Sequence, residues 1–110
     1  MKRLIATLVM STSLMAHAEF YTGNDLLNKI NADNAIDRMV GLGYVMGVFD
    51  TVNGIDHCPP DNVTSGQIRD MVRNHLVASP SVRHLSADLQ VRYVLKNAWP
   101  CAKKNSGSNL

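Results

Sequence analysis

The sequence predicts an all-α fold, a compact bundle of four to five helices stapled by one disulfide. Apolar residues recur at spacings of three and four, and no stretch shows the alternation of a half-buried strand. The breaks between these stretches carry helix punctuation at Thr22, Asn53-Gly54, Thr64, Ser79-Pro80 and Pro100. Two cysteines in 110 residues make an even count suited to a single bridge. A chain of this length holds one domain.

Residues 1–18 read as an export signal rather than as part of that domain. Lys2 and Arg3 precede a mostly apolar run from Leu4 to Met15, and Ala16-His17-Ala18 has the small-x-small pattern of a cleavage site. The run is too short and too hydroxyl-rich for a bilayer span of about 20 residues, and no later segment is a better candidate. Cleavage after Ala18 leaves a helical domain over 19–102 and a polar tail over 103–110. It also removes two of eleven basic residues and none of nine acidic ones, so the mature chain is formally neutral. Arg69, Arg73, Arg83 and Arg92 are scattered among acids without an aromatic ladder, which argues against a nucleic-acid partner. Export into an oxidising compartment favours a Cys58–Cys101 bridge. Closing that 44-residue loop is worth about 4 kcal/mol in the chain-entropy model.

Each element then has a local reason. Thr22 caps the first helix, with Asp25 in its first turn facing the positive end of the helix dipole. Leu26, Leu27 and Ile30 supply its apolar stripe. Asn31 to Asn34 interrupts it, and a second helix runs from Ala35 to Asn53-Gly54, where Gly54 suits the left-handed C′ position. Gly41, Gly43 and Gly47 lie inside that helix, each costing about 0.5–1 kcal/mol relative to alanine. Three in seven residues predict that another backbone crosses there, with Tyr44 and Phe49 filling the space beside it. Cys58-Pro59-Pro60 stiffens the following loop. Thr64 caps the third helix, with Gln67 completing a capping box and Val63 and Ile68 forming a hydrophobic staple. Its inner face reads Ile68, Met71, Val72, His75 and Leu76 up to Ser79-Pro80. Ser86 caps a fourth helix, with Asp88 in its first turn. Its expected apolar side is Leu89, Tyr93, Val94, Ala98 and Trp99, ending at Pro100.

No constellation in the chain calls for catalysis, a metal or a cofactor. His57, His75 and His84 lack recognised ligand spacing. A bridged Cys58 is no nucleophile, and there is no CxxC pair. The serines sit at helix boundaries, where capping explains them. The chain therefore reads as a binding protein rather than an enzyme. Asp50, at the end of the glycine-bearing helix, is a candidate partner-binding carboxylate. Loops on a rigid scaffold commonly supply binding surface, so Asn53, Asp56 and His57 of loop 54–63 and its border join it as tentative partner-binding residues.

Four pieces occur in order: Thr22-Gly23-Asn24-Asp25-Leu26-Leu27; Gly43-Tyr44-Val45-Met46-Gly47-Val48-Phe49-Asp50; Cys58-Pro59-Pro60 with Val63-Thr64-Ser65-Gly66-Gln67; and Trp99-Pro100-Cys101. Together they resemble the Rap1a/Tai family of type VI secretion immunity proteins over about residues 20–101. Gly43, Tyr44, Gly47, Thr64, Gln67, Trp99 and Pro100 are then its structural motif residues. The resemblance implies a small, exported, all-helical periplasmic protein, often a homodimer. It would block a peptidoglycan-cleaving amidase by occluding the catalytic cleft. Many members carry a second cysteine pair where this chain reads Lys29-Ile30-Asn31 and Val40-Gly41-Leu42. The alternatives are an acid-stress periplasmic chaperone, opened by protonation of carboxylates and histidines, and a non-enzymatic envelope interaction module.

Overall fold

The structure, a computed structural model, describes residues 20–102. The expected signal peptide over 1–18 and the expected tail over 103–110 lie outside these residues. Four helices follow in order: α1 (Gly23–Ile30), α2 (Ala35–Val52), α3 (Ser65–Ala78) and α4 (Ala87–Ala98). Each packs against the other three. Among the described residues there is no strand, only three isolated bridges. The fold is the all-helical, single-disulfide bundle that the sequence predicts.

The helices begin and end at the anticipated punctuation, although the caps differ in detail. Thr22 Oγ1 accepts from Asp25 N at 3.2 Å, and Thr22 N donates back to Asp25 Oδ2 at 2.9 Å. The expected Thr22 cap therefore forms, and Asp25, for which the sequence suggested only a dipole contact, completes a reciprocal capping box on α1. These bonds hold the Asp25 carboxyl below its usual pKa, the bond from the Thr22 backbone contributing most. At α3 only half of the expected box forms: Thr64 Oγ1 accepts from Gln67 N at 3.2 Å, without the return bond. An ionised carboxylate bonds more strongly than a neutral amide, which explains the difference. Ser86 makes no side-chain cap to α4; its hydroxyl donates to Asp88 instead. The N–H of Ala87 donates to Tyr21 O at 2.7 Å, so another part of the chain satisfies that helix start.

The core is built from one stripe of each helix: Leu26 and Ile30, Val45 and Phe49, Ile68, Val72 and Leu76, and Ala87, Val91 and Leu95. The face expected for α4 is displaced in part, with Val94 and Trp99 packing against the core as expected. Leu89 and Tyr93 are 57% and 60% exposed, while Ala87, Val91 and Leu95 at i, i+4 and i+8 are fully buried. Gln90 shares the buried face because its amide is satisfied at both ends. Nε2 donates to Val82 O at 2.6 Å, and Oε1 lies 2.8 Å from His75 Nε2. A hydrogen-bonded amide goes inside at little cost, a possibility that polarity patterning misses.

The glycines of α2 divide in two. A Cβ on Gly41 would meet the backbone N of Ile30 at 2.9 Å, so α1 crosses α2 there as expected. A Cβ on Gly43 or Gly47 would meet nothing within 4 Å. The expected backbone crossing is therefore absent at those two positions: α1 ends beside Gly41, and Gly43 and Gly47 instead line an open groove with Asp88 and Arg92 of α4. Gly41→Ala is expected to lower stability by about 1–3 kcal/mol through overpacking. Gly43→Ala should raise it by about 0.5–1 kcal/mol through helix propensity. Urea melts at a concentration where the protein is monomeric decide both; equal effects of the two substitutions contradict the assignment.

Candidate functional site

The C-terminal end of α2 is where the sequence placed the binding residues, and a chain reversal builds it. Gly54 takes φ +79°, the left-handed turn expected after the helix. Ile55 N and Asp56 N donate to Val52 O at 3.0 and 2.9 Å, and Gly54 N donates to His57 O at 2.8 Å. The loop is then fixed to the end of α4. Cys58 N donates to Trp99 O at 2.8 Å, His57 bridges Pro100, and Cys58 and Cys101 form the predicted disulfide with an S–S distance of 2.04 Å.

This reversal splits the four candidate partner residues. Asp50 and Asn53 are exposed on the rim. Asp56 is half-buried and turned inward: its Oδ2 accepts from Arg92 Nε at 2.7 Å and lies 2.6 Å from the second guanidinium nitrogen. His57 is fully buried, its ring 4.7 Å from that of Phe49, with neither ring nitrogen hydrogen-bonded. A side chain without exposed surface does not touch a partner directly, so His57 supports the loop from beneath. Burial lowers its pKa, and the neighbouring Asp56 carboxylate opposes that shift without cancelling it. Ile55, 74% exposed at the tip, is the residue that sequence reasoning missed. A single aliphatic residue between Gly54 and Asp56 was the available signal.

The outer face of α2 adjoins this end. Ile36 and Val40 are 76% and 42% exposed, and Gly43 and Gly47 continue their line towards Asp50. No charged residue occurs between Arg38 and Asp50. Helices apolar on all sides are normally covered on all sides. Beside this face Tyr44 stacks on Tyr21 at 5.4 Å. Its phenol pKa is raised chiefly by burial and further by the charge of Asp88. Among the described residues no three His, Cys, Asp or Glu side chains gather as a metal site. The arrangement offers surfaces for binding.

A family model describing Rap1a immunity proteins matches residues 22–101, from the Thr22 cap to the second half-cystine. The chain belongs to the Rap1a immunity protein family. That membership points to an immunity-type function, and the family is typically non-enzymatic. No curated protein matches the chain. In this Rap1a protein the Trp99-Pro100-Cys101 and Cys58-Pro59-Pro60 motifs meet at the disulfide. By contrast, Gly43 and Gly47 lie open on α2.

The buried imidazole makes stability depend on pH. Because the folded pKa of His57 lies below its unfolded value of 6.5, the unfolded chain binds the proton more tightly. The neutral ring's stabilisation is complete above about pH 6.5 and is lost as pH falls through that value towards the folded pKa. His57→Phe should therefore flatten the pH dependence of the melting temperature between pH 7 and 5. Parallel curves for the two proteins contradict a buried neutral ring.

Proposed function

We propose that the protein is exported, is cleaved after Ala18, and acts in the periplasm by binding and occluding a peptidoglycan-cleaving amidase toxin. The observation that carries this reading is the family match across residues 22–101. The disulfide adds support, since such bridges persist in oxidising compartments. The exposed rim of Asp50, Asn53 and Ile55 is the part of the reversal that enters the toxin's cleft, while Asp56, His57 and the disulfide hold it in shape. Inhibition of this kind needs shape and rigidity rather than chemistry. A loop already held in its bound form loses less conformational entropy on association.

Affinity capture with the tagged, oxidised 19–110 chain from its own organism's secreted fraction tests this reading. The expected result is one stoichiometric peptidoglycan amidase whose activity disappears at an equimolar ratio. Asn53→Ala and Asp50→Ala should weaken the complex by roughly tenfold or more, as residues at the centre of an interface do. Many weak clients without a dominant hydrolase would instead favour the chaperone or structural alternatives.

The uncovered face of α2 suits a second copy of the chain. Ile36, Val40, Gly43 and Gly47 form an uncharged line along α2, and Asp88 and Arg92 of α4 border its glycine end with opposite charges. Val40→Glu is expected to convert a homodimer into a monomer without changing the helical content, with analytical ultracentrifugation as the readout. A wild-type protein that stays monomeric at high micromolar concentration excludes this assembly.

A further inference from the structure

A third surface lies between α2 and α3, clear of the loop reversal and of the glycine strip. It is a groove of about 420 Å³ lined by Ile30, Met39 and Leu42 and by the three arginines Arg38, Arg69 and Arg73. Met39 is 72% exposed. One carboxylate oxygen, Asp70 Oδ1, serves two of the arginines, at 3.1 Å from Arg69 and 3.2 Å from Arg73. Arg38 spends one guanidinium nitrogen on the carbonyls of Ala32 and Asp33. A guanidinium carries five N–H donors in a planar fork, so much of the donor capacity here is unused by the described residues.

The charge around the groove contrasts with the rest of the molecule. Elsewhere in residues 20–102 there are four Lys or Arg and seven Asp. Two of those four cations are already committed, Lys29 to Asp37 at 2.6 Å and Arg92 to Asp56. Among the described residues the groove is thus a positive site on a surface that otherwise carries more acidic than basic side chains. An extended polyanion would run from the arginines onto repelling aspartates. A small free anion would leave Met39 uncovered. A short protein segment with carboxylates flanking an apolar side chain satisfies both halves, because arginine forks pair with carboxylates while the apolar residue covers Met39 and Leu42.

We propose that this arginine-rimmed groove is a second docking face for the toxin, taking an acidic, apolar-tipped segment of its surface outside the catalytic cleft. The inference rests on the immunity reading above. Such a contact fixes the orientation of the complex and steers its assembly, which salt screens.

The test uses the disulfide-bonded protein and, as probe, a catalytically inactivated form of the amidase recovered in the capture experiment above. Affinity is measured from low to high salt, with inorganic phosphate as competitor. Arg69→Glu with Arg73→Glu should weaken binding by roughly thirtyfold or more at low salt and remove most of its salt dependence. Met39→Ser should weaken it by roughly fivefold. Arg73→Gln, which removes charge without reversing it, serves as a milder second variant. Circular dichroism and melting temperature confirm that each variant folds. A complex that forms with unchanged affinity in all the groove variants overturns the docking face and leaves the immunity reading standing. Displacement of the amidase by millimolar phosphate identifies a small-anion site and likewise overturns it. If wild-type protein does not bind the amidase, the immunity reading fails and takes the docking face with it.

Discussion

The bond between Cys58 and Cys101 closes a circuit on which the whole C-terminal end of the bundle depends. It holds the loop after α2 against the residues after α4, beside the Cys58 N to Trp99 O bond and the His57–Pro100 bridge. Without that attachment the reversal at Gly54 has only its own short hydrogen bonds, and His57 has no wall to keep it beneath Phe49. Closing a loop of 43 residues' separation is worth about 4 kcal/mol. Whole domains are stable by only about 5–15 kcal/mol, so a bridge of this kind decides whether the loop has one conformation or many. The opposite end is closed without covalent help. Gly23 N and Asn24 N donate to Leu85 O and Arg83 O, and Ala87 N donates to Tyr21 O, so the start of α1 is tied to the α3–α4 connection.

Between these two closures lies α2, whose composition exceeds what the bundle uses. Gly41, Val45 and Phe49 face inward, yet Ile36, Met39 and Val40 on other sides are equally apolar. A helix serving only one core would carry charges on its outer face. The glycines sharpen the contrast: Gly41 is required by the approach of Ile30, whereas Gly43 and Gly47 carry the propensity cost of glycine with nothing in the chain against them. An outer surface of small and apolar residues has a natural use in association. That makes α2 both the centre of the fold and the most distinctive part of its exterior.

Helix boundaries were legible because they depend on local chemistry. Thr22, Thr64, Gly54 and the prolines act within one turn of themselves, and the structure begins or ends its elements at them. The disulfide was legible because two cysteines allow one intramolecular pairing. Which face of α4 turns inward was not, since Leu89 and Tyr93 look as apolar as Val91 and Leu95. What decides is Gln90, whose amide finds Val82 and His75 from other parts of the chain. The candidate site divides in the same way. Asp50 and Asn53 sit where a helix end puts them, whereas the burial of His57 and the pairing of Asp56 with Arg92 are tertiary facts. The arginines read as scattered along the chain, and only the packing of α2 on α3 gathers Arg38, Arg69 and Arg73 around one groove.

The resemblance implies a second cysteine pair that this chain lacks. The resemblance places those cysteines near Lys29-Ile30-Asn31 and Val40-Gly41-Leu42, and these are the two segments that meet where α1 crosses α2. In this chain the contact is made by proximity instead: the backbone N of Ile30 lies where a side chain on Gly41 would start. The Lys29–Asp37 ion pair lies alongside. A glycine permits a closer approach than a bridge between two Cβ atoms requires. The crossing is thus held by van der Waals contact between main chains, and that contact is unavailable once a Cβ is present. α1 keeps its place on the bundle through this close contact, its capping box and its ties to Arg83 and Leu85.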